Sequence, residues 1–263
     1  MKADYKNWMP KGMIAVFACS AVISFLLFLF LGIMPIVGDI GIRRILGIFF
    51  AVTTIILGLV SLWMFLMYRA FSYDGSRQMS RQIIEGIAEY VNVPDGGTCL
   101  DVGCGSGALT IACAKRNPKA TLFGIDRWGK EYASFSKKLC ENNSVAEGVN
   151  NTSFQQGDAT SLHFDDCTFD AVTSNYVYHN IPSKDRQGIL LETLRTLKKG
   201  GTFAIHDIMS KSRYGDMEAF VKKLKDMGYE EVQLIDTTDG KFMSKWESLW
   251  MELSGSTLLV GKK

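Results

Sequence analysis

The 263-residue sequence is poor in histidine, with three, and in proline, with five, and its six cysteines fall in no metal-binding pattern. Cys19, Cys99, Cys104, Cys113, Cys140 and Cys167 include no C-x-x-C pair and no Cys/His group at zinc spacing, so no metal site is expected. Cys19 lies in an apolar run. The other five read as small buried fillers in a reduced compartment, which suits a cytosolic domain. A net charge of +2 with no basic run interleaved with aromatics argues against nucleic acid as a partner. Charge is missing most completely from residues 13–37 and 45–68.

Each of those two runs exceeds the roughly 20 residues that cross a bilayer core as a helix. The first is too long for a signal-peptide core, and a second follows almost at once, so two transmembrane helices are expected. Residues 38–44 are long enough only for a tight turn, which puts both ends of the hairpin on one side. Lys2, Lys6 and Lys11 precede the first run and Arg69, Arg77 and Arg81 follow the second, against Arg43 and Arg44 in the connector. That bias places the large domain on the cytoplasmic side. Trp8, Trp63 and Tyr68 fall near the span ends, where amphipathic rings prefer to sit. Gly47, Ala51, Thr54, Gly58 and Ser61 form a small-residue stripe that suits close approach by the first span or by a second subunit, which leaves a homo-oligomer open. The expected division is a membrane anchor over 1–72 and a soluble domain over 73–263.

In the soluble part, Met79, Ile83, Ile87 and Val91 recur every four residues and predict an amphipathic helix over 76–91. Strand and helix signals then alternate. Strands are expected at 98–102, 121–125, 152–156, 169–174, 202–206, 232–236 and 257–260. Helices are expected at 108–116, 130–141, 184–197 and 217–227, with another inside 238–255 bearing Trp246, Trp250 and Met251. Such alternation implies an α/β fold with an open, mainly parallel sheet covered on both faces. Ligands bind such sheets outside the carboxyl ends of the strands, where strand order reverses.

The first of these strands ends in Leu100-Asp101-Val102-Gly103-Cys104-Gly105-Ser106-Gly107 and runs straight into a helix. Glycines there let the backbone turn tightly and come close to a ligand. The helix start favours a ligand's anionic end. Gly103, Gly105 and Ala108 also fit a dinucleotide fingerprint, and Asp126 at the second strand's end suits the ribose of either adenosine cofactor. Three features favour the non-dinucleotide reading. Asp101 stands where a dinucleotide site would carry an apolar residue. Gln156-Gly157-Asp158-Ala159 supplies a carboxylate after the third strand, able to accept from an adenine amino group. The chain then closes with two nearby strands and no second set of nucleotide-binding units.

These residues resemble the class I S-adenosylmethionine-dependent methyltransferases over about 73–263. LDVGCGSG looks like that family's first motif, GIDRW its ribose motif, GDA its adenine motif, FDAVTSNYVYHNI its fourth-strand segment, and LKKGGTF its turn into the fifth strand. The resemblance implies a Rossmann-like sheet of seven strands, the last antiparallel, and S-adenosylmethionine as cofactor. Carried over by position, Gly103, Gly105 and Gly107 approach the methionine portion, Asp126 holds the ribose, and Asp158 with Ala159 holds the adenine. Arg127 and Trp128 flank the adenine, Asn175 lies by the methionyl group, and Tyr73 caps the pocket. Asp101 either contributes to the site or ties down its loop.

Methyl transfer asks mainly for orientation and exclusion of water. An acceptor that must lose a proton also needs a base. His179 and His206 at the fourth and fifth strand ends, with Tyr176 beside them, are the candidate catalytic residues; His163 lies in a connecting loop. The fourth-strand segment reads Ser174-Asn175-Tyr176-Val177 rather than Asn-Pro-Pro-Tyr, which disfavours nucleic-acid and protein amide acceptors. A small, lipophilic acceptor reached from the bilayer is expected. The competing readings are a membrane-bound NAD(P)-dependent oxidoreductase and a cofactor-binding scaffold without turnover.

Overall fold

The computed structural model describes residues 2–129 and 134–263. It divides into two compact units: residues 7–78, and residues 79–263 together with the chain's first six. The helical unit therefore ends at Gln78, six residues past the division expected at 72.

The helical unit is a pair of long apolar helices. Helix α1 (Lys11–Leu27) continues through a wider π-helical turn at Phe28–Ile33. Met34 is extended, as a residue ahead of proline prefers, and Pro35 stops the helix. Helix α2 (Ile40–Phe71) starts on Asp39, whose carboxylate accepts the Ile42 amide at 2.8 Å. The turn is thus residues 34–39, earlier than expected, because proline and this cap act before the charges do. Arg43 and Arg44 belong to α2. Both helices are long and apolar enough to cross a membrane. Ile45, Ile48, Leu59 and Leu62 are among many large apolar side chains exposed along α2.

The helices touch through small residues. A β-carbon built on Gly32 would lie 2.5 Å from the Gly47 α-carbon. Ser24 donates to the Phe50 carbonyl at 3.1 Å, and Ser61 to the Ile14 carbonyl at 3.5 Å. Gly47 and Ser61 of the stripe therefore face the first helix, whereas Gly58 looks into open space. Gly32 is the partner that the stripe alone did not reveal.

The second unit is a seven-stranded sheet: β1 (Thr98–Val102), β2 (Thr121–Asp126), β3 (Thr152–Gln156), β4 (Phe169–Asn175), β5 (Leu197–Ile208), β6 (Glu230–Asp236) and β7 (Ser256–Lys262). The strand order is β3-β2-β1-β4-β5-β7-β6, with β7 antiparallel to both its neighbours and the other pairs parallel. Order reverses between β1 and β4, so the loop after β1 and the end of β4 flank the switch point. Helices α3 (Met79–Ala88), α4 (Ala108–Arg116), α5 (Lys137–Ala146), α6 (Arg186–Arg195), α7 (Lys211–Tyr214), α8 (Met217–Asp226) and α9 (Lys245–Trp250) complete the unit. Met79, Ile83, Ile87 and Val91 are all buried, as their spacing predicts.

Several boundaries move. Helix α5 begins on the Ser136 cap, and the start expected at 130 falls on residues outside those described. Strand β5 already pairs at Leu197 with Phe169, so Gly200 and Gly201 lie within a strand irregularity rather than ending a helix. Helix α6 stops earlier, with Thr196 as its cap. Cys167 is exposed, contrary to its expected burial, because it sits on a turn at φ 54° before β4; Cys99, Cys104, Cys113 and Cys140 are buried.

Replacing Gly32 or Gly47 by leucine is expected to force the helices apart, costing on the order of 1–3 kcal/mol as overpacking does. Thermal denaturation of the detergent-solubilised protein measures it. Gly58→Leu is expected to match the parent protein.

Candidate cofactor and acceptor site

The loop between β1 and α4 turns through Gly103, Gly105 and Gly107, with φ of 75°, 56° and 81°. A β-carbon at Gly103 would stand 2.2 Å from a methyl of Val177, so only glycine lets that side chain settle on the loop. The Gly103 and Cys104 amides both donate to the Ile125 carbonyl, at 2.8 and 2.9 Å, which locks the loop to the end of β2. Helix α4 has no side-chain cap, and Gly107 precedes it.

Asp126 braces the loop from β2. Its two carboxylate oxygens accept from the amides of Gly105 (2.9 Å) and Trp128 (2.7 Å). The Trp128 indole donates to the Gly105 carbonyl at 3.0 Å, and its ring packs against Cys104, Ile111, Cys140 and Phe154. Arg127 is exposed, and its carbonyl accepts from the Gln156 side-chain amide. Asp158 is exposed and turned onto Thr160, accepting from its amide and hydroxyl at 2.8 and 2.7 Å. Those bonds hold the Asp158 carboxyl below its ordinary range. Ala159 packs at the edge of the main core.

Asp101 faces inward. It accepts from the hydroxyls of Thr110 on α4 (2.6 Å) and Thr173 on β4 (3.0 Å), which ties three elements together behind the loop. Burial pushes its carboxyl up to about 6 against the pull of those hydroxyls. It supports the loop from behind rather than through the loop's own amides. Tyr73 belongs to the helical unit.

Three loop neighbours carried no sequence signal. Phe135 lies 3.7 Å from where a Gly105 β-carbon would be. Asn143 of α5 donates to the carbonyls of Ser106 and Asp4 and accepts the Asp4 amide at 2.7 Å. Tyr5 packs on the same cluster as Trp128. Asp4 and Asn143 are 139 residues apart, a separation that no local pattern bridges.

Across the switch point, Asn175, Tyr176, His179 and His206 gather as expected. Asn175 Oδ1 is 2.9 Å from His206 Nδ1, and His206 Nε2 is 2.9 Å from the Thr237 hydroxyl. His206 is wholly buried, which pushes it down to about 3. The Tyr176 ring meets that of His206 edge-on at 4.6 Å, its hydroxyl bonds Ser256 at 2.8 Å, and its φ is 55°. A non-glycine residue in that region is strained and persists where its surroundings over-determine it. Its phenol is raised by desolvation. His179 lies in a short 3-10 turn (Tyr178–Asn180) with Nδ1 2.5 Å from Asp207 Oδ1, and its own amide donates to Asp207 Oδ2 at 3.1 Å. Burial works to raise the Asp207 carboxyl, yet the His179 contact and the Ile208 amide outweigh it and hold the group low. Trp246 of α9 is 70% exposed, while Met251 is buried. Among the described residues, no group of three or more His, Cys, Asp or Glu could hold a metal.

Comparison with known proteins places this architecture. Residues 100–205 match a family described as a methyltransferase domain. The chain is 33% identical over 128 residues to the demethylmenaquinone methyltransferase of Bacillus licheniformis, covering 48% of this chain and 51% of that one. It spans about half the length of such curated relatives. Geranyl diphosphate methyltransferase, solved in complex with GPP and sinefungin, superposes with a TM-score of 0.54 at 13% identity over 73% of this chain and 82% of that one. The cyclase SpnF superposes with the same score at 17% identity over 73% and 85%. These likenesses show the fold. Residues 100–205, which carry the family match, include the loop 103–107, Asp126, Asp158 and His179.

The neutrality of His206 carries a pH dependence. The unfolded chain protonates this histidine below about 6.5 whereas the native state resists until about pH 3, so its contribution to stability is lost as pH falls through that window. Between pH 7 and pH 5 the parent protein is expected to lose about 2 kcal/mol more than His206→Gln. Denaturant unfolding at the two pH values measures the difference.

Proposed function

We propose that this chain is an S-adenosylmethionine-dependent methyltransferase, held in a membrane by its two apolar helices, that methylates a small lipophilic acceptor. The observation that carries this reading is the loop 103–107 at the β1/β4 switch point, braced by the Asp126 carboxylate at the end of β2. When bound, S-adenosylmethionine supplies a methyl group on an electrophilic sulfonium.

The residues present suit that cofactor. Glycines at positive φ expose backbone to a ligand, and the uncapped start of α4 offers amides to a carboxylate. Asp126 accepts the amides of Gly105 in the loop and of Trp128 after β2, and the remaining lone pairs of its two oxygens suit the two donors of a ribose diol. Asp158 and Ala159, at the end of β3, are assigned to the adenine, with Trp128 and Arg127 at its flank and Asn175 by the methionyl group.

The lipophilic acceptor is supported by the apolar helices and by relatives named for a quinone precursor. Lys2 and Lys6 before α1 and Lys11 at its start, with Arg69 in the last turn of α2 and Arg77 and Arg81 beyond it, support a cytoplasmic catalytic unit.

Radiolabelled S-adenosylmethionine incubated with the protein and membrane extract is expected to yield label in an organic-soluble product; label confined to protein or RNA refutes the acceptor class. Asp126→Ala is expected to weaken S-adenosylhomocysteine binding by about tenfold or more, the weight of a hydrogen bond to a charged group. Calorimetry measures that affinity, and unchanged binding removes Asp126 from the site.

A further inference from the structure

We propose that His179 is the general base of the transfer and Asp207 its positioning residue, so that the acceptor is a molecule whose attacking group is an O–H acid. The inference rests on the methyltransferase reading above.

Two histidines stand at the carboxyl edge of the sheet, and the structure separates them. His206 has both ring nitrogens engaged, by Asn175 and Thr237, and is sealed from solvent. It has no free nitrogen with which to take a proton. His179 has one nitrogen engaged and its side chain is 15% exposed, while its partner Asp207 is fully buried. Nδ1 donates to the Asp207 carboxylate, which leaves Nε2 with a lone pair directed away from that contact. A buried carboxylate on Nδ1 selects the tautomer whose Nε2 accepts, and it stabilises the imidazolium that forms.

The dyad is braced on every side. The His179 amide binds the other Asp207 oxygen, at 3.1 Å. Arg186 of α6 donates to the carbonyls of Tyr178 (3.2 Å), Ile181 (3.1 Å) and His179 (3.4 Å), and so pins the turn that carries the imidazole. The Tyr176 ring meets that of His179 edge-on at 5.9 Å. Tyr214 of α7 is buried with its hydroxyl toward Asp207 but without a hydrogen bond of normal geometry. Among the described residues, Asp207, Arg186, Tyr176, Tyr178, Tyr214 and the neutral His206 are thus the charged and titratable groups around His179. Val177, two residues before His179, rests on Gly103, which places the dyad beside the cofactor loop.

In the step assigned to it, Nε2 takes the acceptor's hydroxyl proton while the oxygen, or the carbon conjugated with it, bonds to the methyl carbon. The methyl–sulfur bond breaks with its electron pair remaining on sulfur, which yields S-adenosylhomocysteine. The proton then leaves Nε2 for water. A hydroxyl is a poor nucleophile until deprotonated, and this gives the base its task.

The full-length protein in detergent tests this with an organic membrane extract as the acceptor source. His179→Gln is expected to keep S-adenosylhomocysteine affinity within about twofold, lose about 100-fold or more in transfer rate, and lose the acid limb of the rate–pH profile. Asp207→Asn is expected to keep S-adenosylhomocysteine affinity, lose transfer rate and move the proton of the neutral His179 ring from Nδ1 to Nε2; His163→Gln is expected to match the parent. Because the chain has three histidines, a His-labelled nitrogen spectrum is assigned by the three glutamine variants and reads the tautomer without turnover. A proton on His179 Nδ1 supports the proposal, and a proton on Nε2 of the neutral ring overturns it. An intact rate or acid limb in His179→Gln also overturns it, as does label attached to nitrogen or sulfur. A parent protein that neither binds S-adenosylhomocysteine nor transfers label instead defeats the methyltransferase reading, and the base with it.

Discussion

The carboxyl edge of the sheet is organised around the contact of Val177 with Gly103. The two strands that diverge at the switch point, β1 and β4, end side by side, and the segment after β4 must fold back over the loop after β1. A β-carbon at Gly103 would occupy the space of the valine methyls. With hydrogen there, the 3-10 turn comes down onto the loop, and Tyr176 takes up a left-handed backbone between Asn175 and Val177. The loop assigned to the cofactor and the segment that carries His179 are therefore one packed object. A change at either end is transmitted through the packing between them, because protein interiors have few voids to absorb it.

Two buried carboxylates behind this surface show how surroundings divide the labour. Asp101 meets two threonine hydroxyls and, among the described residues, no cation, so desolvation wins and its carboxyl rises to about 6. Asp207 is as deeply buried but meets His179 and a backbone amide, so it is held low. The first group is a crossbrace among β1, α4 and β4. The second carries charge beside a histidine, which is the arrangement that pairs with proton transfer.

The helical unit follows a simpler constraint. Its apolar faces leave little to choose between contacts, so small residues decide where the backbones meet. Gly32 opposite Gly47 permits the approach, and Ser24 and Ser61 add hydrogen bonds across it. Proline and an aspartate cap place the turn, which is why it precedes the arginines that charge counting had put inside it.

Local pattern was enough for whatever depends on near neighbours in the chain. The strand over 98–102, the helix over 108–116 and the buried face of Met79, Ile83 and Ile87 were legible because periodicity and glycine placement act over a few residues. The loop 103–107, Asp126 and the gathering of Asn175, Tyr176, His179 and His206 could be read for the same reason, since each sits at a strand end. The sequence could not show that Asp126 clasps Gly105 and Trp128, or that Asp4 and Tyr5 reach α5. Nor could it rank the two histidines. His179 and His206 look alike in one dimension, each at a strand terminus beside polar residues. Only packing, which seals one between Asn175 and Thr237 and sets the other on Asp207 with a nitrogen free, makes them different chemical groups.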